Sequence, residues 1–279
     1  MKKAILPLTM LALAGTAFAQ QAAVPQENNI EVGAKFAYES HYVNRGIDQS
    51  DSNLQTTVNV GVGGYNSGYW ALRAYGELAY MSPVSDEGNE ADWTLGARAT
   101  YADEYFLDFG YRFKSYPNGG VEHAYSMRRA YVNRSNELFL KVGRDVEFVT
   151  DEDWSRIIIS GSVSYDWNLE QTTWEVSAEK TFESIFTNET DLAIGVTYGY
   201  ITANDWVGDQ LHGVGDPNND YGYLTVKADL IYHLNTSTDL SFGVRYSYNN
   251  DHDRYIHGAR VMSIDCNTFW WGVSLNFCY

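Results

Sequence analysis

Beyond the first nineteen residues the chain has no apolar run long enough to cross a bilayer as a helix, which takes about 20 consecutive apolar residues. Helical membrane spans are therefore excluded from the rest of the chain. Proline is scarce, with 5 in 279 residues, and none interrupts the alternating segments described below. Cysteine is scarcer: Cys266 and Cys278 are the only two, too few for a disulfide-stapled scaffold. Positive charge is also short, with 19 Lys and Arg against 36 Asp and Glu. A chain of that balance repels phosphate backbones, so a nucleic-acid partner is not expected.

The first nineteen residues read differently from the rest. Lys2 and Lys3 precede an apolar run that closes on Ala17-Phe18-Ala19, as in a cleaved secretory signal peptide. Residues 20–279 are then one exported domain. Its formal charge is -19, that is -17 for the whole chain less the two leader lysines.

Aromatics are abundant: 22 Tyr, 12 Phe and 8 Trp. Together with 24 Gly they suggest many β-strands joined by tight turns. From Ile30 the even positions run Ile30, Val32, Ala34, Phe36, Tyr38, Ser40, Tyr42, and Glu31, Lys35, Glu39 and His41 fall between them. This period of two recurs in Leu54–Val62, Trp70–Tyr80, Trp93–Tyr101, Tyr105–Phe113, Leu138–Val146, Ile157–Tyr165 and Trp174–Phe182. It continues in Leu192–Tyr200, Leu224–Tyr232, Leu240–Tyr248 and Phe269–Tyr279, which makes twelve segments. His123–Asn133 puts an Arg on either face and is read as a loop, keeping the strand number even.

An all-β fold follows: a transmembrane antiparallel β-barrel, its backbone polar groups paired within the wall because hydrocarbon offers no partners. Connections 43–52, 81–91, 117–135, 202–220 and 250–267 are long, and those between are mostly tight, such as Asn66-Ser67-Gly68. Long extracellular loops and short periplasmic turns are the pattern of Gram-negative outer-membrane barrels. Tyr42, Trp70, Tyr80, Trp93, Tyr101, Trp174, Tyr232 and Tyr248 lie near strand ends, as two interfacial girdles require. Arg144 and Lys180 face outward near the periplasmic end, where their stems can snorkel. The last strand presents Phe269, Trp271, Val273, Leu275 and Phe277 on its outer face and ends on Tyr279. That is similar to the signal by which the bacterial barrel-assembly machinery recognises its clients. Cys266 and Cys278 lie at opposite ends of this strand, roughly 35–40 Å apart, and are expected to be free thiols.

With register fixed, the inward face carries Glu39, Arg73, Glu77, Arg98, Asp108, Arg112, Lys114, Glu175, Glu179, Lys227, Asp229 and Arg245. Glu31, Lys35, Lys141, Asp145 and Glu183 join them. Charges inside a barrel are hydrated or paired. Hydrated, they line a pore for small hydrophilic solutes; paired, they brace the wall of a non-conducting structural or adhesive barrel. Outer-membrane lipid surrounds either one, and a homo-oligomer is compatible with both. No motif asks for a cofactor.

Arg45 lies at the outer end of the first strand on inward parity, with Gly46 to turn the chain and Asp48 and Asp51 near enough in sequence to pair with it. It either braces its own loop or borders the pore. Around it Tyr42, Val43, Arg45, Gly46 and Ser50 resemble the Y-V-x-R-G-x-x-x-S segment of the TorF-type outer-membrane porins. Asn44 stands where that family has an aromatic. The resemblance implies an outer-membrane barrel that passes solutes.

The remaining constellations are weak. Asp216, Asn218 and Asp220 have calcium-loop spacing, but Gly222 comes one place late and Lys227 stands where the closing Glu belongs. A solvated turn is the simpler reading, as a polar loop tip is for Asn249–Tyr255. No Ser, His and acid converge by register, so an enzyme is the third reading, after pore and structural barrel.

Overall fold

The structure is a computed structural model and describes residues 30–84, 89–115, 134–147, 156–168, 171–203, 220–250, 254–256, 259–262 and 266–279. The signal peptide, His123–Asn133, and Asp216 and Asn218 lie outside these residues.

Alternation of apolar and polar side chains, unbroken by proline, gives twelve long strands. They are β1 (Ile30–Glu39), β4 (Asn53–Asn66), β5 (Trp70–Pro83), β6 (Glu90–Tyr101), β7 (Tyr105–Ser115) and β8 (Arg134–Glu147). β9 (Arg156–Asp166), β10 (Gln171–Phe182), β11 (Thr190–Ala203), β12 (Tyr221–Asn235), β13 (Thr238–Asn249) and β16 (Asn267–Cys278) complete the set. Each pairs antiparallel with both neighbours in one closed barrel. The seam joins the two ends of the wall: β1 pairs with β16 from Gly33 opposite Cys278 to Glu39 opposite Gly272. It extends to the last residue, since Val32 and Tyr279 exchange two backbone hydrogen bonds of 2.9 Å. This is the twelve-stranded antiparallel barrel expected from the alternation.

One end of the barrel carries Ile30, Tyr279 and tight turns such as 67–69, 102–104 and 236–237; we call it the turn end. The other carries the longer connections and is the loop end. Ala102 and Asp103 hold positive φ as the two central residues of the β6–β7 turn, which the Glu104 N–H closes onto Tyr101 O at 3.2 Å. The barrel is inverted relative to a water-soluble protein. Phe269 (64% exposed), Leu95 (67%) and Val176 (60%) stand on the outside, while Ser247 and Asn249 are fully buried inside. Outward alternation along the strands gives the barrel an apolar exterior.

Seven of the eight aromatics assigned to the girdles are exposed near strand ends, and neighbours among them touch, as Trp70 and Tyr101 do at 4.8 Å between ring centroids. Arg144 also faces out, lying over the Tyr105 ring and within 3.4 Å of Glu104. Lys180 sits over Phe182. Cys266 and Cys278 are free thiols.

Three expectations need correction. The first strand ends at Glu39 rather than running to Tyr42. The chain breaks at Ser40-His41 and re-forms as a separate small hairpin, β2 (Tyr42–Asn44) and β3 (Ile47–Ser50). Tyr42 therefore leaves the outer girdle, and its hydroxyl donates to Glu90 Oε2 at 3.2 Å. The segment after Asn249 is more than a polar tip, since β14 (Arg254–Ile256) pairs with β15 (Ala259–Met262).

Candidate functional site: the lumen and its hairpin

Several inward ion pairs run along the wall, between neighbouring strands or over a glycine. Glu179, Gly195 and Lys227 form one cross-strand row on β10, β11 and β12. Glycine in the middle lets the outer two meet, with Lys227 Nζ 3.2 Å from Glu179 Oε1. A Cβ on Gly195 would stand 2.4 Å from Lys227 Cε. Arg245 of β13 lies in a similar hollow: Cβ atoms on Gly243 and Gly272 would come within 2.9 and 3.0 Å of its Nη1. There it reaches Asp229 at 2.9 Å and Glu39 at 3.8 Å, while Nη1 itself is buried without an acceptor. Arg73 crosses Gly61 to reach Glu31 at 2.5 Å. Arg98 pairs with Asp108 at 2.7 Å on the neighbouring strand, and Tyr75 donates to the same carboxylate at 2.6 Å.

These pairs keep charge satisfied without crossing the bore. Glu175 accepts from the Ser162 and Tyr223 hydroxyls instead of pairing with a cation. Among the described residues Glu77 and Lys35 form no ion pair, and neither does Lys141, which lies 6.0 Å from the centre of the Phe106 ring. Glu183, expected on the inward face, lies instead in the exposed turn that follows β10.

The loop end is built differently. β2 and β3 fold inward, turning on Arg45 (φ 50°) and Gly46 (φ 81°), both in the left-handed region, as a two-residue hairpin loop demands. A side chain on Gly46 would collide with Tyr223, its Cβ 2.4 Å from Tyr223 Cβ. Four strands hold the tip, β9 through the Ser164 hydroxyl, 3.4 Å from the Arg45 guanidinium. Tyr221 Oη donates to Arg45 O at 3.1 Å, and Asn249 Nδ2 donates to Gly46 O at 2.7 Å. The guanidinium of Arg45 meets Glu137 on β8. This replaces the expected pairing with Asp48 and Asp51. The inward fold carries Arg45 to the wall, whereas Asp48 binds His41 at 2.7 Å across the base of the hairpin. Burial alone would lower the Arg45 pKa, but the Glu137 carboxylate outweighs it and holds the guanidinium charged. Burial pushes the Asp48 carboxyl up, against the pull of His41.

Glu137 also takes Arg112 at 2.8 Å, and Lys114 lies 3.1 Å from Glu90 and 3.4 Å from Asp92. Three cations thus meet three carboxylates beside the hairpin. Sequence reading missed Glu137, Glu90 and Asp92, and at the turn end Asp191 and Asp239. Each lies within three residues ahead of an apolar segment start and shares its inward parity, so carrying the alternation back a turn would have found it.

Compared by sequence, the chain matches no family model and no curated relative. Compared by fold, it is similar to the COG4313 outer membrane channel from Pseudomonas putida F1, with TM-score 0.54, 13% identity, and 92% of this chain and 97% of that one covered. The NanC porin (TM-score 0.45, 11% identity, 88% and 98% covered) and the KdgM porin (TM-score 0.45, 8% identity, 88% and 98% covered) are also similar. At these identities the first shows a shared barrel fold.

Proposed function

We propose that the protein is a porin-like channel of a bacterial outer membrane, passing small hydrophilic solutes through a bore that the β2–β3 hairpin narrows. The observation that carries this reading is the arrangement of the lumen: the ion pairs of Lys227, Arg245 and Arg73 run along the wall, over or beside glycines, and not across the barrel. The apolar exterior and the TorF-type segment around Arg45 support the membrane placement, with the turn end periplasmic. In this reading Glu39, Arg73, Glu77, Arg98, Asp108, Arg112, Lys114, Glu175, Glu179, Lys227, Asp229 and Arg245 line the pore, and Arg45 fixes its constriction. Outer-membrane lipid and, during assembly, the machinery that reads the C-terminal strand are the partners.

One observation favours a second reading. The hairpin is bonded to the walls around it through Arg45, Tyr221 and Asn249, as a plug would be. Planar-bilayer recording separates the two. The intact protein and a variant with residues 42–50 replaced by a Gly-Ser turn are compared, both checked for the heat-dependent gel shift of a closed barrel. Current through both, several-fold larger in the variant, supports a channel narrowed by its hairpin. Current through the variant alone makes the hairpin a plug, and silence from both makes the barrel structural.

A further inference from the structure

We infer that the pore prefers cations to anions, and that its turn end contributes to the preference, where Asp191 and Asp239 share the single imidazole of His233. The inference rests on the conducting reading above. His233 is spent on both sides: Nδ1 lies 2.7 Å from Asp239 Oδ1 and Nε2 lies 3.0 Å from Asp191 Oδ2. The carboxylates are 4% and 5% exposed. The remaining Asp191 oxygen accepts only a neutral donor, the Ser184 backbone N–H at 3.0 Å.

A second observation points the same way. Asn276, on β16, is the register partner of Asp239 and is 3% exposed, yet its Oδ1 is buried without a donor. Oxygen acceptors thus outnumber donors and cations at this spot. With a neutral imidazole the group carries two negative charges, and with a protonated one it carries one. Either state is negative.

Elsewhere among the described residues carboxylates also outnumber cations: Glu39 and Asp229 share the one Arg245, and Asp48 and the buried Asp166 stand at the loop end beyond the three carboxylates paired there. At the loop end Arg45, Arg112 and Lys114 balance Glu137, Glu90 and Asp92. Midway, unpaired Lys35 and Lys141 offset unpaired Glu77 and Glu175. Near Cys278, Arg73 is matched by Glu31. A fixed charge at a pore mouth acts through the field it casts over about 8 Å of electrolyte, so the buried carboxylates need not touch the ion. Cations gather at that mouth and anions are turned away.

The test is the reversal potential of the folded barrel across a KCl gradient in planar bilayers. Wild type should favour potassium. The Asp191→Asn/Asp239→Asn pair should lower the potassium-to-chloride permeability ratio by roughly twofold or more, about what one or two unit charges contribute at a Debye length. His233→Gln breaks the same hydrogen bonds but leaves both carboxylates, and should keep the preference or raise it. A loss in His233→Gln equal to that in the Asp pair would mean the cluster acts only by holding the wall, and would overturn the inference. Wild type that reverses on the chloride side also overturns it while leaving the channel intact. A folded barrel that carries no current in either ion removes the channel reading and this inference with it.

Discussion

The two ends of the lumen solve the problem of enclosed charge in opposite ways. At the turn end and through the middle, ion pairs run between adjacent strands or over one glycine, as Lys227 and Glu179 do across Gly195. At the loop end the decisive bonds leave the wall: Arg45 reaches from the hairpin to Glu137, which also serves Arg112. The wall pairs stabilise a surface that the barrel would form anyway. The loop-end cluster holds a segment that would otherwise have no fixed place. Removing a wall pair should therefore cost little, and removing the hub at Glu137 should cost much.

The largest effect is expected from Glu137→Gln. It removes the carboxylate that two guanidiniums share, and breaking a buried pair from one side costs about 3 kcal/mol or more. Urea unfolding in lipid vesicles should show that loss, and limited proteolysis should cut residues 42–50 faster. An unchanged midpoint with an uncut hairpin would erase the distinction between the two ends. Gly46→Ala comes next. It puts a Cβ into Tyr223 at a φ of 81°, for a cost of about 1–3 kcal/mol, and should free the hairpin with little change in the barrel's far-ultraviolet spectrum.

Gly195→Ala should cost about 1 kcal/mol, because it pushes the Lys227 stem off Glu179 but a lysine can bend away. Gly64→Ala is its control: the one atom near its Cβ is Leu72 O at 3.9 Å, and the unfolding midpoint should stay within about 0.5 kcal/mol of wild type. If the two variants behave alike, the hollow over Gly195 has no role in the wall. Arg144→Ala should have the smallest effect, under about 0.5 kcal/mol, since that pair with Glu104 is half exposed on both sides.

Much of the wall was legible because a strand of period two declares its faces residue by residue. All twelve segments, their parity and the separation of Cys266 from Cys278 follow from alternation alone. What stayed hidden depended on the third dimension. Segments began at their first large apolar residue, so Glu137, Asp191 and Asp239, each one position earlier, dropped out of the inward list. The hairpin was hidden for a different reason. Tyr42 continues the even-numbered apolar series, and nothing local distinguishes a strand that runs on from one that breaks at Ser40-His41 and turns inside. Asp48 and Asp51 were the obvious partners for Arg45 because they were near in sequence. The partner that the fold supplies is 92 residues away.

The seam between β1 and β16 dictates an order of assembly. Every other pairing in the wall joins segments that follow one another along the chain, apart from small hairpins such as β2–β3 and β14–β15, and can zip up stepwise. The seam must bring together residues at opposite ends of the wall, such as Gly33 and Cys278, and the entropy of closing so large a ring makes it the slow step. The hairpin hangs directly from β1. Tyr221 and Asn249 lie on β12 and β13, on the far side of the seam from the hairpin, and their bonds to Arg45 O and Gly46 O span that seam from within. The hairpin is thus an internal clasp, whose bonds to β12 and β13 can form only once the two edges have met.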